Sequence, residues 1–394
     1  AREAGIRVVA LGSGPVPPCE GAEYVRVRWD PYLSAKPPSS LSVREYAFFS
    51  KCFGEGATDV ILGLSRDADP RDVLVIHNDI AEAPDFRRLR EAGLRQVTIF
   101  HVDVVDYVSR IYLRGLIPPH LISRGFRFLK RTGLHRALPL VAKLVLGKQD
   151  ECVRNCDLLV VPSRGMADVL ERSFPEARGR VAVIPWGAVE DPVEGEIPDI
   201  RERYGISEST PVIITLSRIS PEKGQDLLLR ALRIWDRKGG RKLVAFICGA
   251  PAFMHGEAYL RRLRRLSRGL KRVEVHFPGH VVGAEKRGFL SAADLYVFPS
   301  RHESYGLTLA EALRAGLPVL TTRHYSAGEL VRPEFGLVVE PCPRDIYRGL
   351  TSLLSDREKL AEMGKRAREF SRNLSFDRAF HELLKRLRSL GTQV

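Results

Sequence analysis

Leu295-Tyr296-Val297-Phe298-Pro299-Ser300-Arg301-His302-Glu303-Ser304-Tyr305-Gly306-Leu307-Thr308-Leu309-Ala310-Glu311-Ala312-Leu313 is the most chemically crowded stretch of the 394-residue chain. Its first four residues, apolar and closed by proline, predict a strand buried on both faces of a parallel sheet. Apolar residues return at helical spacing from about Gly306, so the stretch predicts a strand, a polar loop and a helix. A helix N-terminus offers N–H groups and a partial positive charge, which suits an anion. Glu303 lies just before that end, and Glu311 follows eight residues later, roughly two turns on. Carboxylates only accept hydrogen bonds, so the pair suits the hydroxyls of a sugar or a ribose. Taken singly, the two acids would be a cap and a solvated helix glutamate.

The same alternation runs outward in both directions. Ile6–Leu11, Val73–Ile76, Val97–Phe100 and Leu158–Val161 are short apolar runs, separated by helical patterns such as Asp85–Ala92 and Met166–Ser173. A proline-rich and acidic stretch, Pro185–Pro198, interrupts the rhythm and has linker composition. Strands at Val212–Leu216, Leu243–Ile247, Val273–Phe277 and Val319–Leu320 follow, with helices at Glu222–Asp236 and Tyr259–Leu266 and over most of 343–390. Repeated β-α alternation predicts an α/β protein of two doubly wound, Rossmann-like domains with a cleft between them. The expected limits are 1–187, a linker at 188–210, a second domain at 211–372, and a C-terminal helix at 373–394 packing back on the first domain. Ligands of such sheets sit beyond the carboxyl ends of strands.

A second post-strand loop supplies the context for the two glutamates. In Leu216-Ser217-Arg218-Ile219-Ser220-Pro221-Glu222-Lys223-Gly224, Arg218 offers a planar fork and Lys223 a point charge, a pair able to clamp a diphosphate. Opposite an anion-binding helix end and two carboxylates, they suggest a site for a nucleotide-diphosphate sugar.

With Glu303-x7-Glu311, Arg218-x4-Lys223, Ala293-Asp294 and Pro299-Ser300 in place, the sequence resembles the retaining glycosyltransferases of family four, which have the GT-B fold. The resemblance is dense from Pro211 to about Val339 and looser over Asp157–Gly187. It implies that Glu303 holds hydroxyls of the transferred sugar and Glu311 the ribose. It also implies that Arg218 and Lys223 neutralise the leaving diphosphate, helped by backbone N–H groups near Gly306, Leu307 and Thr308. Ser217, Ser304 and Tyr305 join this donor site, and the strand end Gly279–Val281 meets the base. In the first half, His101 follows strand Gln96–Phe100 and takes the place of a histidine that faces the donor sugar. His77 and Asn78 read as structural. Gly12-Ser13-Gly14 occupies the position of the family's glycine-rich loop, with Gly14 the candidate contact, although Pro15, Pro17 and Pro18 follow it directly. The pattern is not G-x-G-x-x-G, which argues against a dinucleotide.

No metal or other cofactor is expected. Asp67-Ala68-Asp69 imitates a metal-binding D-x-D but lies in an Asp/Pro-rich turn. The six cysteines, at 19, 52, 152, 156, 248 and 342, are too scattered for a disulfide scaffold, and the four-residue step from Cys152 to Cys156 is helix spacing rather than a zinc knuckle. Three Asn, three Met and four Gln hint at a thermophile. No apolar run reaches the ~20 residues of a spanning helix, and the opening residues 1–5 lack a signal peptide's apolar core, so the expected location is cytoplasmic.

Charge is unevenly placed. Sixty-two Lys+Arg against 48 Asp+Glu leave +14. Tyr107–Gln149 contains no acid and nine basic residues: Arg110, Arg114, Arg124, Arg127, Lys130, Arg131, Arg136, Lys143 and Lys148. Phe126, Phe128 and Leu129 interleave with the charges, and Leu134, Leu138, Val141 and Val145 step at helical spacing. One or two basic amphipathic helices are expected, and the patch of Arg124, Arg127, Lys130 and Arg131 is a candidate for peripheral contact with an anionic membrane or a phosphorylated acceptor. The alternative is an ordinary solvated face. Nucleic acid is not an expected partner, because no binding module accompanies the patch.

Together these observations point to transfer of a hexose from UDP-glucose or GDP-mannose, with retention, to an acceptor hydroxyl on a lipid-linked or soluble sugar. The competing readings are a sugar-nucleotide epimerase of similar fold and a non-catalytic sugar-nucleotide-binding protein. A phosphorylase would need a lysine-bound pyridoxal phosphate, for which no motif is present.

Overall fold

All twelve strands found among the described residues run parallel to their neighbours. The computed structural model describes residues 5–17, 21–27, 41–78, 80–113, 115–188, 193–252 and 256–391. Cys19, Arg114 and the Glu190-Asp191-Pro192 part of the expected linker lie outside them. The chain divides into two units, one of residues 1–184 with 380–394 and one of residues 185–379.

In the first unit, β1 (Val9–Gly12) and β2 (Glu23–Arg26) form a two-stranded ribbon. A separate sheet runs in chain order through β3 (Leu74–His77), β4 (Arg95–Ile99), β5 (Leu158–Val161) and β6 (Val181–Val183). Its core gathers Phe86, Phe100, Val153, Leu159, Val161 and Leu170. Helix Val43–Leu64, not anticipated above, opens with a capping box: the Ser42 hydroxyl accepts from the Glu45 N–H, and the Glu45 carboxylate accepts from the Ser42 N–H.

The second unit holds β7 (Val212–Leu216), β8 (Leu243–Cys248), β9 (Val273–Gly279), β10 (Leu295–Phe298), β11 (Val319–Thr322) and β12 (Gly336–Val339). Their order across the sheet is β12-β11-β10-β7-β8-β9. The chain starts in the middle, builds one half outward, then crosses back to build the other. β7, β8, β10 and β11 are buried throughout, which is why they read as continuous apolar runs. Alternate residues feed two cores. Val212, Ile214, Phe246, Tyr296 and Phe298 pack with Phe289, Leu309 and Leu313 on one face. Ile213, Ala245, Ile247, Leu295 and Val297 pack with Leu228, Leu232, Leu263 and Ile346 on the other.

The segment expected as a linker, 188–210, is instead part of the second unit where it is described. Asp199 caps helix Ile200–Arg203, and Ile200 is buried. The Arg201 guanidinium donates to Asp294 at 2.8 Å and to the Ala292 carbonyl at 3.0 Å. A few anchored residues thus override the loop-like composition around them. Helix Phe376–Ser389 begins in the second unit and continues into residues grouped with the first.

Candidate donor-sugar site

The strand order decides where a site can form in the second unit. β7 and β10 are neighbours, and the chain leaves them for opposite sides of the sheet. That is the switch point where doubly wound sheets open a crevice at their carboxyl ends. The two loops singled out in the sequence, 217–224 after β7 and 299–306 after β10, meet there.

Several contacts lock the loops together. Gly224, at φ +67°, caps helix Gln225–Arg237, and a Cβ on it would lie 2.0 Å from the Pro299 carbonyl oxygen. Gly249, at φ +149°, has no room for a Cβ, which would fall 1.8 Å from the Ser217 carbonyl oxygen. The Arg301 guanidinium donates to both Asp226 oxygens, at 2.8 and 3.0 Å, and to the Pro221 carbonyl at 2.7 Å. Tyr259 donates to the same Asp226 at 2.7 Å. Burial works to raise the Asp226 pKa, but Arg301 and Tyr259 hold it below the usual carboxylate range.

Within this frame the Lys223 ammonium donates to Glu303 at 2.5 Å. Burial of Glu303 favours its neutral form, yet the adjacent Lys223 charge outweighs that and keeps the carboxylate ionised, its pKa below the ordinary value. His324 stands behind it, within reach of Thr321 (3.1 Å) and Ser326 (3.2 Å). Burial brings the His324 pKa down to about 4, so the ring is neutral at pH 7. The carboxylate and the lysine are therefore the charged members of this corner. Glu311 is held the same way, by Lys286 at 3.0 Å.

Helix Leu307–Arg314 starts at Gly306 without a side-chain cap. Thr308 lies 2.9 Å from the Tyr296 hydroxyl, which is also 3.1 Å from the Leu216 carbonyl oxygen. Ser217 accepts from Gln225 Nε2 at 2.9 Å, and the same amide donates to the Arg218 carbonyl at 2.9 Å. Arg218 itself is exposed. Ser304 and Tyr305 are buried. The Tyr305 hydroxyl donates to the Trp186 carbonyl, and the Ser326 hydroxyl donates to the Tyr305 carbonyl, so Tyr305 secures the loop from behind. Val281 is buried at the end of β9, and Leu307 is exposed.

The structure thus brings Ser217, Arg218, Lys223, Glu303, Gly306, Thr308 and Glu311 to one end of one sheet. It adds groups the sequence reading missed: Lys286, His324, Gln225 and the Arg301–Asp226 clamp. Gln225 carried a faint signal, as one of four glutamines in the chain. Lys286 carried none, because 25 residues separate it from Glu311.

His101 and Gly14 belong to the first unit. His101 is exposed, with Nε2 3.1 Å from Asn78 Oδ1. Asn78, read above as structural, thus orients the candidate histidine. The Gly14 carbonyl accepts from the Tyr24 hydroxyl at 2.7 Å. Asp69 caps a short turn and pairs with Arg71 at 2.9 Å.

The basic patch is less uniform than its sequence suggested. Arg127 pairs with Glu176 at 2.7 Å, and Lys130 with Asp150 at 3.1 Å. Lys148 turns inward to the Ala83 carbonyl at 2.6 Å. Acids from outside 107–149 neutralise part of the run, which leaves Arg124 and Arg131 without an acidic partner among the described residues.

Residues 196–370 match the family model described as "Glycosyl transferases group 1". This segment contains every second-unit candidate from Ser217 to Glu311; His101, Gly14 and the basic patch precede it. Among curated relatives, the chain is 32% identical over 182 residues to a GDP-mannose-dependent alpha-(1-6)-phosphatidylinositol monomannoside mannosyltransferase of Mycolicibacterium smegmatis, covering 44% of this chain and 46% of that one. It is 28% identical over 235 residues to D-inositol 3-phosphate glycosyltransferase of Corynebacterium glutamicum, covering 58% and 56%. The chain spans about half the length of the curated relatives it matches. Sucrose-phosphate synthase from Thermosynechococcus elongatus shares its fold with a TM-score of 0.71 at 17% identity, over 100% of this chain and 91% of that one. Anabaena HepE, solved with UDP-glucose, gives 0.63 at 18% identity, over 93% and 86%. The fold is GT-B, built from two Rossmann-like units.

Proposed function

We propose that the protein transfers a hexose from a nucleotide-diphosphate sugar to an acceptor hydroxyl with retention at the anomeric carbon. The observation that carries this reading is the Lys223–Glu303 contact of 2.5 Å. It puts a cation suited to a diphosphate beside a carboxylate suited to sugar hydroxyls, at the switch point of the sheet. In the proposed reaction the bond from the anomeric carbon to the phosphate oxygen breaks, and its electron pair leaves with the diphosphate. Arg218, Lys223 and the N-terminus of helix Leu307–Arg314 stabilise that growing charge. The acceptor oxygen attacks from the same face and passes its proton to the departing phosphate oxygen. Glu303 positions sugar hydroxyls and Glu311 the ribose, while Val281 borders the base. For His101 the proposed role is contact with the donor sugar. A metal ion is not required, because protein cations and N–H dipoles supply the positive charge.

UDP-glucose and GDP-mannose are the proposed donors; relatives named for GDP-mannose and a similar fold solved with UDP-glucose support each. The acceptor is a lipid-linked or soluble sugar. Incubation with either donor and a panel of acceptors should release UDP or GDP with formation of an α-linked product, and EDTA should leave the rate unchanged. Binding of a donor without turnover across the panel would replace this reading with a sugar-nucleotide-binding protein.

A further inference from the structure

Of the eighteen large hydrophobic side chains exposed among the described residues, seven fall between Tyr112 and Leu140. Leu116 is 84% exposed, Tyr112 73% and Phe128 63%. Scattered apolar side chains are normal on a protein surface, but a concentration of them is not. Helix Pro119–Arg131 explains their arrangement. It buries Ser123 and Phe126 and turns the opposite stripe outward. Leu121, Arg124, Phe128 and Arg131 are spaced three, four and three residues apart, so they share one face of that helix. Apolar and cationic groups alternate along it. Ile117 precedes the helix and Leu134 follows it, both exposed.

Beside this stripe lies a hollow of about 590 Å³. Its lining holds five arginines, at 124, 127, 131, 154 and 180, together with Phe128 and one acid, Glu176. Arg127 already occupies that acid. Arg154 pairs with Asp150 at 3.1 Å, and Arg180 donates to the Val153 and Glu176 carbonyls at 2.8 Å. The concavity therefore offers chiefly the guanidiniums of Arg124 and Arg131, which bind phosphate in a bidentate manner, directly next to apolar side chains that water does not favour.

We propose that this face of the first unit docks on an anionic phospholipid bilayer, with lipid phosphates at Arg124 and Arg131 and the side chains of Leu116, Leu121 and Phe128 entering the headgroup boundary. The charge complementarity and the adjoining apolar groups together select a lipid surface over a soluble anion, since interfacial helices combine these two terms. The inference does not depend on the sugar-transfer reading, because its test measures binding and not turnover.

The full chain is sedimented with phosphatidylcholine vesicles, with and without phosphatidylglycerol. Binding is expected only to the anionic vesicles, weakening as salt shortens the screening length. Arg124→Gln with Arg131→Gln should lower the partition on the order of 10-fold or more, and Leu121→Ser with Phe128→Ser should do likewise. A control that removes the same charge elsewhere, Arg261→Gln with Arg265→Gln, should keep native binding; an equal loss there would reduce the effect to net charge and overturn the proposal. Phe128→Trp gives a second readout that needs no destabilising change. Its emission should shift to the blue on anionic vesicles and stay unshifted with glycerol phosphate. Absence of binding to anionic vesicles at low salt overturns the proposal, as does a dimer that Leu121→Ser with Phe128→Ser converts to monomer without any vesicle binding.

Discussion

Arg218 and Lys223 carry the same formal charge in the same loop, but their surroundings differ. Arg218 is exposed, whereas Lys223 and Glu303 each keep only 14% of their side-chain surface accessible. Removing a partly buried partner leaves a carboxylate unpaired, which is costly. Lys223→Ala should therefore lower the melting temperature as well as turnover, while Arg218→Ala should lower turnover by ~10²-fold or more and leave the melt near native. Parallel thermal melts and steady-state rates separate the two, and near-native turnover in Arg218→Ala would remove its place in the diphosphate clamp. Gly249 is constrained differently. Ala there would place Cβ against the Ser217 carbonyl at φ +149°, so Gly249→Ala should destabilise by about 2 kcal/mol or more and weaken donor binding through displacement of the Ser217–Arg218 turn. A native melt with native donor affinity would count against that coupling.

Arg301 ties the loop between β10 and helix Leu307–Arg314 from one side, as Tyr305 does from the other. Arg301 ties it to Asp226, at the start of the helix that follows β7, and Asp226 also faces Arg230 and Arg262 at 4.0 and 3.9 Å. One carboxylate thus serves three guanidiniums and a tyrosine from three elements. Arg301→Ala should cost about 2–4 kcal/mol, in the range of breaking a partly buried hydrogen-bonded pair, and should raise KM for the donor more than it lowers kcat, because it loosens placement without removing a reacting group. Arg301→Lys, which keeps the charge but loses the fork, should recover the melt only in part. Full recovery by lysine would show that charge alone sets this loop.

Among the described residues, each unit contains one histidine that burial holds at a pKa of about 4, His77 in the first and His324 in the second. His77 sits against Gln96 at 3.0 Å and edge-on to Phe86. In both cases the folded value lies below the unfolded value of 6.5, so unfolding takes up protons on the acid side. The associated stability is complete above about pH 6.5 and is lost as the pH falls toward 4. At pH 5 the loss is about 2 kcal/mol for each fully coupled ring. The melting temperature should therefore drop between pH 6.5 and 5, and His77→Gln should flatten that slope. A slope unchanged by the substitution would show that His77 takes up its proton without cost to the fold.

Two kinds of information specify this fold and its site, and they differ in range along the chain. The alternation of strands and helices, the buried character of β7 and β10 and the two loops bearing Arg218, Lys223, Glu303 and Glu311 were all readable in order, because apolar periodicity and turn residues act over a few neighbouring positions. Even the missed helix Val43–Leu64 announced itself locally, through Ser42 and Glu45. The pairing of Lys223 with Glu303 spans 80 residues and that of Arg301 with Asp226 spans 75, and each requires β7 and β10 to be neighbours. No local pattern encodes that adjacency; it follows from how the helices cover both faces of one sheet. The same holds for the anchoring of 199–201 on Asp294, and for which cations of 107–149 point outward, since Glu176 and Asp150, which neutralise Arg127 and Lys130, lie outside that run. Ion pairing is decided by distance in space, and packing alone sets those distances.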